Sequence, residues 1–200
     1  MVGVTTDDGT IRAYEQRADR YLAAYREPAG DVLKWQDRFV AMVGASATVL
    51  ELGSGPGADA DRLERSGLRV LRSDAARSFA DRLRALGHDV LDLDVRRDPL
   101  PEGIRGVFAN AVLLHLDREE LAAALLRLRA ALPPGGVLAC TLKEGDGEEW
   151  HDRKLGVPRR FTYWRAPPLR SALEAARFTV VSIEHSSGRL DEWLQVLATA

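Results

Sequence analysis

The chain has 200 residues, 46% of them hydrophobic, which suits one globular domain and leaves no room for a second. Its net charge of -2, with arginines interleaved among Asp and Glu, lacks the basic footprint that extended nucleic-acid contacts need. No apolar stretch approaches the roughly 18 residues that span a bilayer, and the first 30 residues are polar with no signal-peptide core, so a cytoplasmic protein is expected.

The start, through about Gly9, reads as frayed. From Thr10 or Ile11 a helical stripe follows, with Tyr14, Ala18, Tyr21, Leu22 and Tyr25 spaced by three or four. Asp31 is the expected N-cap of a second helix, whose apolar positions are Val32, Leu33, Trp35, Phe39, Val40 and Val43. From Ala47 the pattern becomes an alternation of strands and helices, the rhythm of an α/β fold. Strands are predicted at 47–51, 68–73, 88–92, 104–109, 135–142, 178–184 and 192–198, and helices at 58–66, 77–87, 118–132 and 167–176. Asp117 with Glu120 predicts a capping box, and Pro133-Pro134-Gly135-Gly136 stops that helix. The lone Cys140 lies in an apolar run and reads as a buried strand residue. The charged, glycine-containing segment 143–160 reads as a long loop after the fifth strand. The last two strands have no crossover helix between them, which predicts an antiparallel hairpin.

The strand at 47–51 runs into Glu51-Leu52-Gly53-Ser54-Gly55-Pro56-Gly57 and then a helix, an arrangement that presents backbone N–H groups to a ligand. Gly53, Gly55 and Ala58 satisfy a loose dinucleotide pattern, so this loop fits either a dinucleotide or S-adenosylmethionine (SAM). Glu51 at the strand end attracts the ammonium group that SAM has and NAD lacks, and would repel a pyrophosphate. Asp74 closes the second strand, where a carboxylate accepts hydrogen bonds from ribose hydroxyls common to both ligands.

These residues, with Ala109-Asn110-Ala111-Val112-Leu113-Leu114-His115, Pro134-Gly135-Gly136-Val137-Leu138 and Trp193-Leu194-Gln195-Val196, give the chain a resemblance to class I SAM-dependent methyltransferases from about Tyr14 to Leu197. It is most similar to small bacterial members with a Leu-Leu-His segment after strand four and a Lys-x-Gly-x-Gly-Glu loop after strand five, here Lys143, Gly145, Gly147 and Glu148. The resemblance implies a Rossmann-like three-layer sandwich with a seven-stranded, mostly parallel sheet, the last strand antiparallel, and two N-terminal helices as a lid. In that arrangement residues 1–200 form one domain, with about 10–45 as the lid and 46–200 as the core. The cofactor is SAM and the product S-adenosylhomocysteine (SAH). Glu51 and Gly53 then meet the methionine end, and Asp74 meets the ribose. Asp94 or Asp92 approaches the adenine amino group. Ser54, Gly55, Gly57, Ala75 and Asn110 complete the cofactor set, with Tyr14 and Tyr21 covering it from the lid; core packing of an amphipathic helix is the equal alternative for these tyrosines. The chain departs from the small group at Ala58-Asp59-Ala60, where an Arg-Asp pair is common, and it has no Asn-Pro-Pro-Tyr segment after strand four.

Methyl transfer is an in-line displacement in which positioning supplies much of the catalysis, and no metal is needed. A hydroxyl or protonated nitrogen acceptor does need a base within hydrogen-bond reach. His115, at the carboxyl edge of the sheet, is the first candidate; packing on the cofactor or capping the next helix is its competing role. Lys143 and Glu148 are the other candidate catalytic residues, with loop-ordering salt bridges as their alternative. Phe161, Tyr163, Trp164 and Trp150 are candidate walls of an acceptor pocket, although alternation at 161 and 163 also fits an edge strand. Arg159 and Arg160 would favour a carboxylate substrate if they face inward; an exposed basic pair is the simpler expectation. His88 and His185 read as structural strand residues, and His151 as a loop residue without a partner. The expected function is methylation of a small-molecule acceptor, by a monomer or homodimer, at oxygen or nitrogen. The alternatives are a non-catalytic SAM-binding or interaction protein and an NAD(P)-dependent oxidoreductase.

Overall fold

The computed structural model describes residues 8–200, so most of the expected frayed start lies outside the described residues. Three helices precede the sheet: α1 (Gly9–Gln16), α2 (Ala18–Ala24) and α3 (Asp31–Val43). The tyrosine-bearing stripe thus forms two helices instead of one, because Arg17 leaves helical geometry at φ -127°, ψ 24°. Asp31 begins α3 without capping it: Gly30 occupies the N-cap, and the Asp31 carboxylate pairs with Lys34 at 2.9 Å.

The core alternates β1 (Thr48–Leu52), α4 (Ala58–Arg65), β2 (Arg69–Asp74), α5 (Arg77–Ala85), β3 (Val90–Asp92), β4 (Gly106–Ala109), α6 (Arg118–Ala131) and β5 (Val137–Lys143). A small hairpin, β6 (Glu148–His151) and β7 (Arg159–Thr162), comes next, followed by α7 (Ala166–Ala175), β8 (Thr179–Ser187) and β9 (Glu192–Thr199). The main sheet has seven strands in the order β3-β2-β1-β4-β5-β9-β8. Neighbours from β3 to β5 are parallel, and β9 runs antiparallel to both β5 and β8. The expected fold class is therefore what forms.

Alternate side chains of each central strand face opposite layers, which is why these strands read as continuous apolar runs. Val49, Phe108, Ala139 and Leu197 face Trp35, Phe39 and Val43 of α3. Leu50, Val107, Leu138, Cys140 and Val196 face Leu121, Leu125 and Leu128 of α6 and Leu173 of α7. Trp35 also donates its indole N–H to the Val196 carbonyl at 3.0 Å, tying the N-terminal layer to the far half of the sheet. Burial pushes the Cys140 thiol up to about 12, so it is a packing residue. The capping box at Asp117 and Glu120 forms as the sequence predicts.

Segment 143–160 is a loop only in part. Glu148–His151 pairs with Arg159–Thr162 as an antiparallel ribbon, anchored because Trp164 N–H donates to the Lys143 carbonyl and Gly145 N–H to that of Trp164. The hairpin brings β7 over the carboxyl edge of the sheet, against α1 and the 3₁₀ turn at Leu113–His115.

Candidate functional site

Strand order reverses between β1 and β4, and the connections leaving their carboxyl ends must diverge there, opening a crevice. A cavity of about 1020 Å³ fills this crevice and extends beneath α1, α2 and the β6–β7 hairpin. Its floor is the glycine loop after β1. Gly53 lies at φ +65°, and a Cβ there would stand 2.6 Å from a methyl of Val112, so the loop packs against the segment after β4 only with glycine at this position. Gly55 lies at φ +48° with open space around it and lines the cavity. Gly57 faces away from the cavity: it caps α4 and packs on Leu83 and Arg72. Arg72 is buried and holds that turn by donating to the Gly57 carbonyl while pairing with Asp61 and Glu64.

At the end of β2, the two oxygens of Asp74 accept from the N–H groups of Gly55 and Ala76, each at 2.9 Å. These bonds fix the carboxylate at the cavity wall beside Ala75. Burial raises the Asp74 pKa to about 6, against the pull of its backbone donors. Glu51 is placed otherwise than the sequence suggests. Its carboxyl lies behind the loop, where it accepts from the Ser54 hydroxyl, and it does not line the cavity. Burial pushes its pKa up to about 8. The carboxylate that does face the cavity here is Asp59, held by Gln36 Nε2 at 2.5 Å and by Asn110 Nδ2 at 2.9 Å. Burial raises its pKa as well. Sequence reading missed this placement, because Asp59 entered it only within Ala58-Asp59-Ala60, as the neighbour of a missing arginine; its position in the first turn of α4 was the available signal.

Asp94 lines the cavity, whereas Asp92 is exposed and pairs with Arg84 outside it. Of that pair, only Asp94 can approach a ligand. Burial favours its neutral form, but Arg96 and Arg97 outweigh this and hold its pKa low. Asn110 lies at the opposite wall, its Oδ1 accepting from the Thr141 hydroxyl at 2.9 Å. The same Thr141 oxygen accepts the N–H of Ala111, a non-glycine residue at φ +57°.

Tyr14 and Tyr21 cover the cavity and pack edge to face at 5.5 Å, with Phe79 against both. Tyr14 meets His115 at 2.9 Å. His115 Nδ1 lies 2.6 Å from the Arg160 carbonyl, which can only accept, so Nδ1 carries the proton and Nε2 accepts from the Tyr14 hydroxyl. Tyr14 in turn accepts from Arg159 Nη1 at 3.0 Å. Burial, reinforced by Arg159 and Lys143, brings the His115 pKa down to about 3, while burial raises that of Tyr14.

Lys143 lines the same end of the cavity, paired with Asp191 at 3.0 Å and lying 4.1 Å over the Phe161 ring. Burial lowers its pKa, opposed by Asp191. Glu148 is exposed on β6, away from the cavity, and leaves the candidate site. Of the four expected aromatic walls only Phe161 lines the cavity: Trp164 is in the core, Tyr163 donates to Glu149, and Trp150 is exposed. His151 stacks flat on Phe161 at 4.1 Å and lines the cavity, a placement that its sequence context did not reveal. His185 is on β8 beside Glu144, whereas His88 lies between α5 and β3 and not in a strand.

Residues 50–140 match the family model described as a methyltransferase domain. Over that stretch, a little under half of the chain, the sequence is similar to a methyltransferase domain. Its sheet agrees with solved structures over nearly its whole length. The 1,6-didemethyltoxoflavin-N1-methyltransferase of Burkholderia thailandensis, solved with its acceptor and SAH, is 22% identical at a TM-score of 0.71, covering 99% of this chain and 92% of that one. The N-methyltransferase NodS of Bradyrhizobium japonicum, solved with SAH, is 19% identical at a TM-score of 0.70, covering 96% and 98%. A Rhodobacter sphaeroides structure described as a candidate Zn-dependent alcohol dehydrogenase is 15% identical at 0.75, covering 98% and 100%. At these identities the likeness establishes the fold. Among the described residues, no three His, Cys, Asp or Glu are grouped to hold a metal ion. None of the described helices is long and apolar enough to cross a membrane. No curated protein sequence matches the chain.

Proposed function

We propose that this chain transfers a methyl group from SAM to an oxygen or nitrogen of a small-molecule acceptor in the cytoplasm. The observation that carries the reading is the division of the cavity into two ends. Asp59, Asp74 and Asp94 line one end, while Lys143 and Arg159 line the other, beside Tyr14 and His115. The first end fits a cationic nucleoside: Asp74, pinned by two backbone donors, has free lone pairs for ribose hydroxyls, and Asp59 offers a charge to an ammonium group. Gly55 supplies close-approach backbone, Asp94 stands nearest the adenine side, and Glu51 acts from behind the loop through Ser54. When bound, SAM supplies a methyl group already activated by its sulfonium.

The remaining chemistry belongs to the chain. Tyr14 and Tyr21 exclude water from above, and the acceptor lies between Tyr14 and Phe161. As its nucleophilic atom gains the methyl, the acceptor proton passes to the Tyr14 oxygen and the Tyr14 proton to His115 Nε2. The Arg160 carbonyl holds the imidazole in the required tautomer and stabilises the resulting cation. Lys143 shapes the acceptor end through Phe161 and Asp191.

Calorimetry with SAM, SAH and NADH tests the cofactor. Binding of SAM and SAH without NADH is expected; tight NADH binding without SAM would make the chain an oxidoreductase of the same fold. A panel of hydroxyl and amine acceptors with tritiated SAM then tests catalysis against a purely cofactor-binding role.

A further inference from the structure

Four heavily buried arginines lie near the site, and three have carboxylate partners. Arg72 pairs with Asp61 and Glu64, Arg96 with Asp94, Glu120 and Asp8, and Arg160 with Asp117 and Glu120. Arg159, on β7, is only 2% exposed and has no carboxylate partner among the described residues. Its one hydrogen bond uses Nη1, toward Tyr14. Nε is buried with no partner and Nη2 makes no hydrogen bond, so two of the three guanidinium nitrogens are unsatisfied. A buried charge without a counter-ion is costly, and such charges are as a rule paired.

The surroundings show what completes this one. Arg159 lines the cavity and lies 5.0 Å over Phe161, whose ring is also approached by Lys143 and stacked by His151. Neither ring nitrogen of His151 has a hydrogen-bond partner, and the Gln195 side-chain N–H₂ at the cavity wall has none. The unmet groups around Phe161 are therefore mainly donors beside cations, and the cavity-lining carboxylate beside them, Asp191, is already neutralised by Lys143. Arg160, next in sequence, shows that β7 can pair an arginine fully when carboxylates are available.

We propose that the methyl acceptor carries a carboxylate, received by the unpaired guanidinium nitrogens of Arg159 next to Phe161. This deepens the methyltransferase reading and rests on it. The planar fork of the guanidinium matches a carboxylate in two parallel hydrogen bonds, and Phe161 offers an apolar face to the carbon skeleton attached to it. A carboxylate there also offsets part of the positive field that Arg159 and Lys143 impose on His115, favouring proton uptake by that imidazole as the methyl moves. The competing source of a carboxylate is the methionine end of SAM itself.

Benzoate and its neutral isostere benzamide, titrated into the SAH-loaded protein, separate the cases. Benzoate should bind with an affinity at least about tenfold above that of benzamide, the worth of a charge-assisted pair. Arg159→Gln should abolish that preference and Arg159→Lys should restore part of it, with thermal melts verifying that both variants fold. Equal binding of the two probes, binding of neither, or a preference surviving in R159Q overturns the proposal. SAH and its decarboxylated analogue are titrated in parallel. If R159Q loses affinity for SAH but not for the analogue, the arginine holds the cofactor and the acceptor assignment is wrong; unchanged affinity for both is the expected result. Failure of the wild-type chain to bind SAH would count against the methyltransferase reading instead. The benzoate preference, read on the ligand-free wild type, still decides the arginine's role in that case.

Discussion

Tyr14 and His115 are 101 residues apart in sequence and joined by a 2.9 Å hydrogen bond across the roof of the cavity. With Arg159 donating to Tyr14 and the Arg160 carbonyl fixing His115 Nδ1–H, every donor in the row points the same way. In the proposed reaction this row carries the acceptor proton to His115. Tyr14→Phe breaks it with little loss of volume. Turnover with an acceptor found in the tritiated panel should fall roughly a hundredfold in Tyr14→Phe and in His115→Asn, within the range of general-base contributions, with SAH affinity nearly unchanged. Equal losses in turnover and SAH affinity would instead assign the pair to cofactor packing.

Asp74 is held at the cavity wall by one backbone donor on each oxygen. Asp74→Ala should weaken SAH binding by roughly 1–3 kcal/mol, the range for charge-assisted hydrogen bonds. Calorimetry measures this, and unchanged affinity would remove Asp74 from the site. Asp92→Ala, exposed and paired with Arg84, should leave SAH affinity unaltered.

The pH dependence follows from the buried acids. Glu51 has a folded pKa of about 8, above its ordinary value of 4.5, so its neutral form is favoured in the fold. Its contribution to stability is fully present below 4.5 and is lost as pH rises through about 8. The melting temperature of the ligand-free protein should therefore carry a falling component between pH 4.5 and about 8, which Glu51→Gln should flatten. The positive charge of SAM favours the ionised forms of Glu51 and Asp74, so SAM affinity should rise over the same interval. His115 has the opposite sign: with a folded pKa of about 3 against 6.5, its contribution is present above 6.5 and lost as pH falls toward 3. Melts of His115→Asn below pH 6 should show a shallower acid decline than the wild type.

Gly53 and Gly55 differ in what their missing side chains permit. Gly53→Ala places a methyl 2.6 Å from Val112 at a positive φ and should cost roughly 1–3 kcal/mol of stability, read by denaturant unfolding. Adding Val112→Ala should recover part of that loss. Gly55→Ala meets no atom nearer than 3.9 Å, so its cost should be mainly the roughly 1 kcal/mol of backbone strain, with a larger effect on SAH affinity because its Cβ enters the cavity.

The sequence by itself determined the α/β alternation, the antiparallel end of the sheet, the Asp117 cap and the neighbourhood of Asp74, because these follow from short-range periodicity, turn residues and strand ends. It could not determine which of several nearby acids faces the crevice. Asp94 rather than Asp92, and Asp59 rather than Glu51, were decided by tertiary contacts: Asp92 pairs outward with Arg84 while Asp94 follows the end of β3 into the cavity wall, and Glu51 turns to Ser54 while Gln36 and Asn110 hold Asp59 at the cavity. Nor could it show that segment 143–160 doubles back as β6 and β7, since the pairing of Glu148–His151 with Arg159–Thr162 depends on anchors at Lys143 and Trp164 as well as on local propensity. That hairpin alone carries Arg159 inward to Tyr14 and His151 onto Phe161, while Glu148 is left in solvent. The acceptor end is therefore a product of tertiary structure: its groups come from α1, the turn after β4, β5 and β7, and only the closing of the chain places their charges together.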